Sequence, residues 1–512
     1  MKKSALIMSA ILAAIAPCTA FAAAPAVSTD VSLDSTYYDY IDKLDGMGYI
    51  ESMPMGARPY SRMMMTKWTI EAAAKAKDKP MPKYLAAYLT ELQREFAPEI
   101  ASIEGSKQKN NIRLRSASMQ LAYTSMDADK YKYNRGIRGS WQPFSQGNNG
   151  YKYGDNGNLI FNMEISGQLD KNAAILLRPR FSYDKDENGS VSLEEGYIKT
   201  HIGTVGITAG KEALDFGQGV TGKLALSNNA KPFTMLRLNL LEPQKIGGFF
   251  RFLGKEDYNV FYGRLEGNRD ETAASNGEHD YDHPGILGMR ADYMPTSRFT
   301  FGVERISIFG GDGNALNHKD WGDWAFGVNS DADNDHWDDI AGVDFRYRFP
   351  GMSIYGELYG EDQANYLPSK PAQRIGFYFP QLTKDGSLDM RVEYAHTTDV
   401  WYDHWTYNNG WVYNDNIMGD SMGPDANKFY IGIKHYLNNT DSIGLHAMRV
   451  NMSRESAVSP KLNQFWLTYD HRLDQNIYLD MMAGAAKISN ASFVNGRSDK
   501  DYIVSATLRW QY

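Results

Sequence analysis

Cysteine is nearly missing from this chain of 512 residues: there is one, Cys18. A disulfide framework is thereby excluded, so a protein of this size must be held together by a large core or by extensive backbone pairing. Long apolar runs are missing too. Beyond residue 22 no stretch of 18 apolar residues is free of charge, which excludes a helical membrane span. Positive charge is in deficit, with 54 Lys and Arg against 62 Asp and Glu and a formal net charge of -8, which argues against a nucleic-acid partner. Only 42% of residues are hydrophobic, yet there are 33 Tyr and 10 Trp. Much of the apolar surface is therefore carried by rings with a polar tip.

The first residues have the layout of a secretory signal peptide. Lys2 and Lys3 precede an apolar segment from Leu6 to Ala16, and Ala20-Phe21-Ala22 offers a small-x-small cleavage site. Cleavage after Ala22 would remove Cys18 and leave no thiol. Three units are expected: a signal peptide over residues 1–22, a helical bundle with its linker over 23–110, and a strand-built remainder over 111–512.

Helical periodicity is confined to the early part of the chain. Tyr37, Tyr38, Ile41 and Leu44 share one face; Ser61 caps a second segment through Met64, Met65, Trp68 and Ala72; Leu85, Tyr88, Leu89, Leu92 and Phe96 mark a third. So few helices bury little alone, so the bundle is expected to dock on the larger unit. From Ile112 the period becomes two. Leu159, Phe161, Met163 and Ile165 alternate with Ile160, Asn162 and Glu164, and Val343, Phe345 and Tyr347 alternate with Asp344, Arg346 and Arg348. Segments of about ten residues suit a tilted crossing of a bilayer better than the shorter strands of a sandwich. Connections from residue 285 onward alternate short and long, as periplasmic turns and outer loops of a transmembrane β-barrel do. Open sheet edges are not tolerated in lipid, so the strands must close. The expected fold is a closed antiparallel outer-membrane β-barrel of about 18 strands with a small N-terminal periplasmic helical bundle. The candidates number about one too many for an even count, and Leu214 to Pro232 is the segment expected to fold inward.

Several motifs carry a resemblance to a known family. They are Leu44-Asp45-Gly46-Met47-Gly48-Tyr49-Ile50, Ala57-Arg58-Pro59-Tyr60-Ser61-Arg62, Gly217-Gln218-Gly219, and the run Leu226, Ser227, Asn228, Asn229, Ala230, Lys231, Pro232. Phe309-Gly310-Gly311, Ala341 to Arg346 and Tyr355 to Asp362 follow in order. The sequence resembles the Wzi-type capsule assembly proteins of the outer membrane; Phe216 stands where that family typically has Trp. The resemblance implies a lectin that holds capsular or other surface polysaccharide at the cell surface, with outer-membrane lipid and the barrel-assembly machinery as further partners and no cofactor. A diffusion porin is the alternative.

Two loops have the composition of a sugar platform, in which flat rings meet the apolar face of a pyranose and amides or carboxylates take its hydroxyls. One carries Trp321, Trp324 and Trp337 among aspartates; the other carries Trp401, Trp405 and Trp411 with Tyr402, Tyr407 and Tyr413. These six tryptophans are the candidate glycan-binding residues, set against the girdle of rings that any barrel has. Asp331, Asp333 and Asp335 have the spacing of a calcium loop, but His336 and Gly342 stand where an EF-hand needs Gly and Glu, so no metal site is expected. Arg113, Arg115, Arg178, Arg180, Arg346, Arg348, Arg391 and Arg509 fall on the inward parity with Glu164, Asp344, Glu357 and Glu393. They form either cross-strand ion pairs or a basic track for an acidic polymer. No catalytic group is credible: there is no nucleophile elbow, and a polar loop accounts for His396, Asp399, Asp403 and His404, so no enzyme is expected.

Overall fold

The computed structural model describes residues 26–512 apart from 53–55, 107–109, 135–136, 186–187, 276, 326–335 and 365–366. The expected signal peptide and the Asp331, Asp333, Asp335 run lie outside the described residues.

Eighteen strands form the wall of one closed antiparallel barrel. They are β1 Arg113–Thr124, β2 Asn156–Gln168, β3 Ala174–Asp184, β4 Asn188–Ile202, β5 Val205–Glu212, β6 Phe233–Leu240, β7 Lys255–Arg264, β8 Gly285–Thr296 and β9 Phe299–Phe309. The wall continues with β10 Trp337–Phe349, β11 Met352–Gly360, β12 Ala372–Phe379, β13 Leu388–His396, β14 Asn427–Tyr436, β15 Asp441–Asn451, β16 Lys461–Arg472, β17 Ile477–Ser489 and β18 Ser498–Gln511. Each strand pairs with its chain neighbour, and β18 returns to β1, Ala117 lying opposite Trp510 and Leu121 opposite Ala506. Closure leaves no edge unpaired.

The period-two pattern sorts side chains as the sequence predicts. Phe345 keeps 37% exposure on the outer surface, while its neighbour Arg346 turns inward to a carboxylate oxygen of Asp45, 2.9 Å away. Leu358, Ile375, Phe429, Leu445, Phe465 and Val504 are likewise exposed outside. Such residues stay at the surface because the solvent there is lipid. A charge on that face near mid-bilayer costs about 2–4 kcal/mol. Phe345→Arg is therefore expected to reduce the heat-modifiable barrel in outer-membrane fractions more than Arg346→Ala does; the reverse ranking would mean that the faces are exchanged.

Connections at one end are short, as at residues 297–298, 350–351, 437–440 and 473–476; those at the other are long, as at 125–155, 310–336 and 397–426. The alternation is not strict in the first half of the wall. Residues 185–187 make a short connection at the long-loop end, and 241–254 make a long one at the other.

Four helices sit at the short-turn end: α1 Tyr37–Gly46, α2 Arg62–Asp78, α3 Lys83–Glu95 and α4 Ala97–Ile103. Their shared core of Ile41, Leu44, Trp68, Leu85, Leu92 and Phe96 includes Tyr436 of the wall. The bundle docks through polar anchors as well. Lys43 Nζ donates to the carbonyls of Pro380 and Gly386 at 2.6 and 2.8 Å and pairs with Asp389 at 3.0 Å. Arg348 pairs with Asp45 at 2.6 Å. The segment before α1 enters the lumen, where Asp30 meets Lys199 and Arg237 and Asp34 meets Arg178.

Candidate functional site

Residues 213–232, between β5 and β6, fold into the barrel, as their small and amide residues suggest. The wall accepts their irregular backbone through carboxylates. Glu357 takes the amides of Gln218 and Gly219 at 2.8 and 2.6 Å and that of Leu224 at 3.0 Å. Glu393 takes the Val220 amide and the Thr221 hydroxyl, each at 2.7 Å. Asp215 and Phe216 pair with Arg58 and Ala57, so the segment before α2 and this plug form one small ribbon. At Gly219 a side chain would collide with the Gly222 carbonyl and with Arg374, which explains the glycine there.

The inward arginines do not form a track. Arg374 is buried among Glu357, Glu393 and Asp420, and Arg290 among Asp292, Glu304 and Asp344. Arg178 pairs with Glu195, Arg180 with Glu194, Arg391 with Asp42 and Arg509 with Asp480. Each of these charges is spent on a partner, the arrangement a low-dielectric interior requires, whereas Arg113 is exposed and Arg115 is buried with its Nε and Nη1 unbonded. The basic-track reading is corrected accordingly.

The loop 397–426, between β13 and β14, lies over the plug and is sewn to it by its rings. Trp411 is fully buried and its indole N–H donates to the Ala225 carbonyl at 2.8 Å. The Tyr402 hydroxyl donates to the Leu224 carbonyl and accepts from the Asp420 amide, and that of Tyr407 lies 3.1 and 2.9 Å from the Gly310 and His336 carbonyls. Burial holds the Tyr402 phenol protonated well beyond its ordinary range. Burial alone would raise the Asp420 carboxyl, but Lys428 and Arg374 outweigh it and hold it ionised below its usual range.

The motif from Leu226 to Pro232 is the clamp of this assembly. The Leu226 carbonyl accepts from the Phe216 amide at 2.9 Å. Ser227 reaches the Met418 and Gly419 carbonyls through its amide and its hydroxyl, each at 2.7 Å. Asn229 Nδ2 donates to the Ile417 carbonyl at 2.8 Å, and Asn228 Nδ2 to the Gly147 carbonyl at 2.9 Å. Ala230 is buried beside them, and Pro232 leads into β6. Two outer loops are thus tied to the plug by one short run.

The six candidate tryptophans separate. Trp401 and Trp411 lie wholly inside the lid core and Trp337 is buried at the start of β10, so none of the three offers a face to an outside ligand; for these the platform expectation is corrected. Trp401 and Trp411 share a core with residues distant in sequence, Leu224 and Ala225 among them, which no local pattern reports. Trp405 is 85% exposed and Trp321 40%. Trp321 and Trp324 share a short helix, His318–Ala325, and meet edge to face with centroids 5.9 Å apart. Trp324 is fixed from behind, with its N–H on Ser307 at 2.9 Å and the Arg305 guanidinium 4.6 Å from the ring centroid. His396 is bonded to Asn427 and Asp399 to Lys370. No cluster of metal-ligating side chains occurs among the described residues.

A family model described as capsule assembly protein Wzi matches residues 135–502. A solved structure of Wzi from Escherichia coli, an outer-membrane protein involved in group 1 capsule assembly and a carbohydrate-binding β-barrel, superposes with a TM-score of 0.69 at 16% identity, covering 96% of this chain and 100% of that one. An uncharacterized 55.8 kDa protein in the cps region of Klebsiella pneumoniae is 27% identical over 163 residues, a match spanning 30% of each chain. With its barrel matched nearly from end to end, the chain belongs to the capsule assembly protein Wzi family.

Proposed function

We propose that this protein binds capsular or related surface polysaccharide and holds it on the outer face of the outer membrane, with the helical bundle of residues 23–110 in the periplasm. The observation that carries this reading is a barrel of this family whose long-loop end is closed by a plug and a lid that present exposed indoles, Trp405 above all. Trp321 and Trp324 supply a second ring surface beside the carboxylates of Asp320 and Asp323. The diffusion porin is less supported, since the plug and its ion pairs occupy the lumen beneath β8 to β13.

Truncating an exposed indole that anchors a ligand costs roughly 2 kcal/mol, or about thirtyfold in affinity. The double variant Trp405→Ala, Trp321→Ala is expected to shed polysaccharide into the medium at unchanged barrel abundance, measured by uronic-acid or total-sugar assay of washed cells. Full retention at normal protein levels would remove both residues from the site.

A further inference from the structure

The lumen is filled unevenly. Under β8 to β13 the inward charges Arg290, Glu304, Asp344, Glu357, Arg374 and Glu393 are each 3% exposed or less. Under β14 to β18 the inward side chains His446, Trp466, Thr468, Asp470, Asp480 and Arg509 are only half-buried. They border a chamber of about 590 Å³ between the plug, α1 and the wall, reaching from Gly147 and Asn228 to the turn at Asn439 and Thr440. That volume falls within the roughly 300–1,000 Å³ of ordinary ligand pockets.

One wall of the chamber is paved with flat rings. Tyr430, His446 and Trp466 stand on adjacent strands; His446 and Trp466 are 5.0 Å apart at 10°, and Tyr430 and Trp466 are 6.0 Å apart at 28°. The Tyr430 hydroxyl and His446 Nδ1 are in hydrogen-bond contact at 2.9 Å. Gly432 leaves the room in which these rings lie along the wall, since a Cβ there would come within 2.2 Å of the Tyr430 hydroxyl and 3.0 Å of His446. Polar groups flank the strip. Thr468 and the pairs Lys434–Asp470, at 3.0 Å, and Arg509–Asp480, at 2.9 Å, offer donors and acceptors.

We propose that this strip binds a short neutral or sparsely charged oligosaccharide inside the barrel, at a site separate from the exposed indoles of Trp405 and Trp321. Rings beside fixed hydrogen-bonding groups are the combination that a sugar needs, an apolar platform with a few orienting polar contacts. Neutralised ion pairs neither repel such a ligand nor demand a counter-charge. A strongly anionic polymer would meet a lining in which carboxylates outnumber cations.

The proposal rests on the carbohydrate reading above only for the choice of probe. Short oligosaccharides from partial hydrolysis of the cells' own surface polysaccharide, with maltohexaose as a neutral comparator, would be titrated calorimetrically onto the full chain in detergent. Binding of one of these probes to the wild type, weakened at least tenfold in Trp466→Leu, is the expected result. Because Trp466 also touches Phe144, Thr468→Arg provides a second arm that fills the chamber without removing a ring, and the same loss is expected. Undiminished binding to both chamber variants, or no binding of any short probe to the wild type, would overturn the proposal. Either result leaves the cell-surface test of Trp405 and Trp321 standing on its own.

Discussion

Arg374→Met unseals the barrel while leaving its wall intact: this is the expected result of removing the cation that holds the plug. The Arg374 guanidinium is inaccessible to solvent and pairs with Glu393 at 3.1 Å, Glu357 at 3.5 Å and Asp420 of the lid. Glu357 and Glu393 in turn take the backbone amides of Gln218 to Thr221. Without the arginine, three carboxylates converge in a low-dielectric space with Lys428 as the cation still paired with Asp420. Breaking a buried ion pair by removing one partner costs about 3–5 kcal/mol, because the remaining charges are left uncompensated. The wall does not share this cost, since the backbone of β12 stays bonded to β11 and β13. Planar-bilayer recordings should show conductance well above the wild type, with heat modifiability retained. Arg374→Lys should fall between the two, keeping the charge while losing the planar fork that serves several carboxylates at once. Wild-type conductance in Arg374→Met would show that the plug is held by other contacts.

The architecture was readable where the chain's own periodicity dictates it. Phe345 and Arg346 declare their faces by parity alone, because a strand in a closed wall has only two sides and lipid selects one of them. The inward fold of Leu214 to Pro232 was readable for a related reason: a run of small and amide residues suits irregular backbone that must find its hydrogen bonds inside the lumen, and it has no pattern for the wall. What the rings of residues 401–413 do was not readable. Trp405 and Trp411 look alike in sequence, yet one is 85% exposed and the other buried on Ala225. The difference arises where a long loop turns back on a plug, a contact across nearly two hundred residues. The arginine partners were hidden in the same way. Arg290 finds Asp344 only through the register of β8, β9 and β10, which alternation does not specify. The ring strip of Tyr430, His446 and Trp466 had a faint signal in the inward parity of its members. That signal became a surface only when the strands were laid side by side.

Trp411→Ala is expected to detach the lid, with an effect far larger than that of Trp405→Ala on the same loop. The Trp411 ring has no exposed surface, its N–H is satisfied by Ala225, and its backbone is tied to the Tyr402 carbonyl and the Met418 amide, each at 3.0 Å. Emptying such a site costs about 3–5 kcal/mol, through lost burial and the cavity left behind. Loops held by tertiary packing open locally before the barrel melts, so the cost should emerge as exposure of residues 397–426. Limited proteolysis of whole cells should therefore cleave this loop in Trp411→Ala and spare it in Trp405→Ala, while the barrel stays heat-modifiable in both. Trp411→Phe retains most of the packing but strands the Ala225 carbonyl, a penalty of about 1–3 kcal/mol, and should be cleaved at an intermediate rate. Polysaccharide would be shed by both alanine variants for different reasons: Trp405→Ala removes a contact, whereas Trp411→Ala removes the platform on which that contact is held. Equal protease resistance of Trp411→Ala and the wild type would mean that the lid stands without its central ring, fastened by the Ser227 and Asn229 clamp alone.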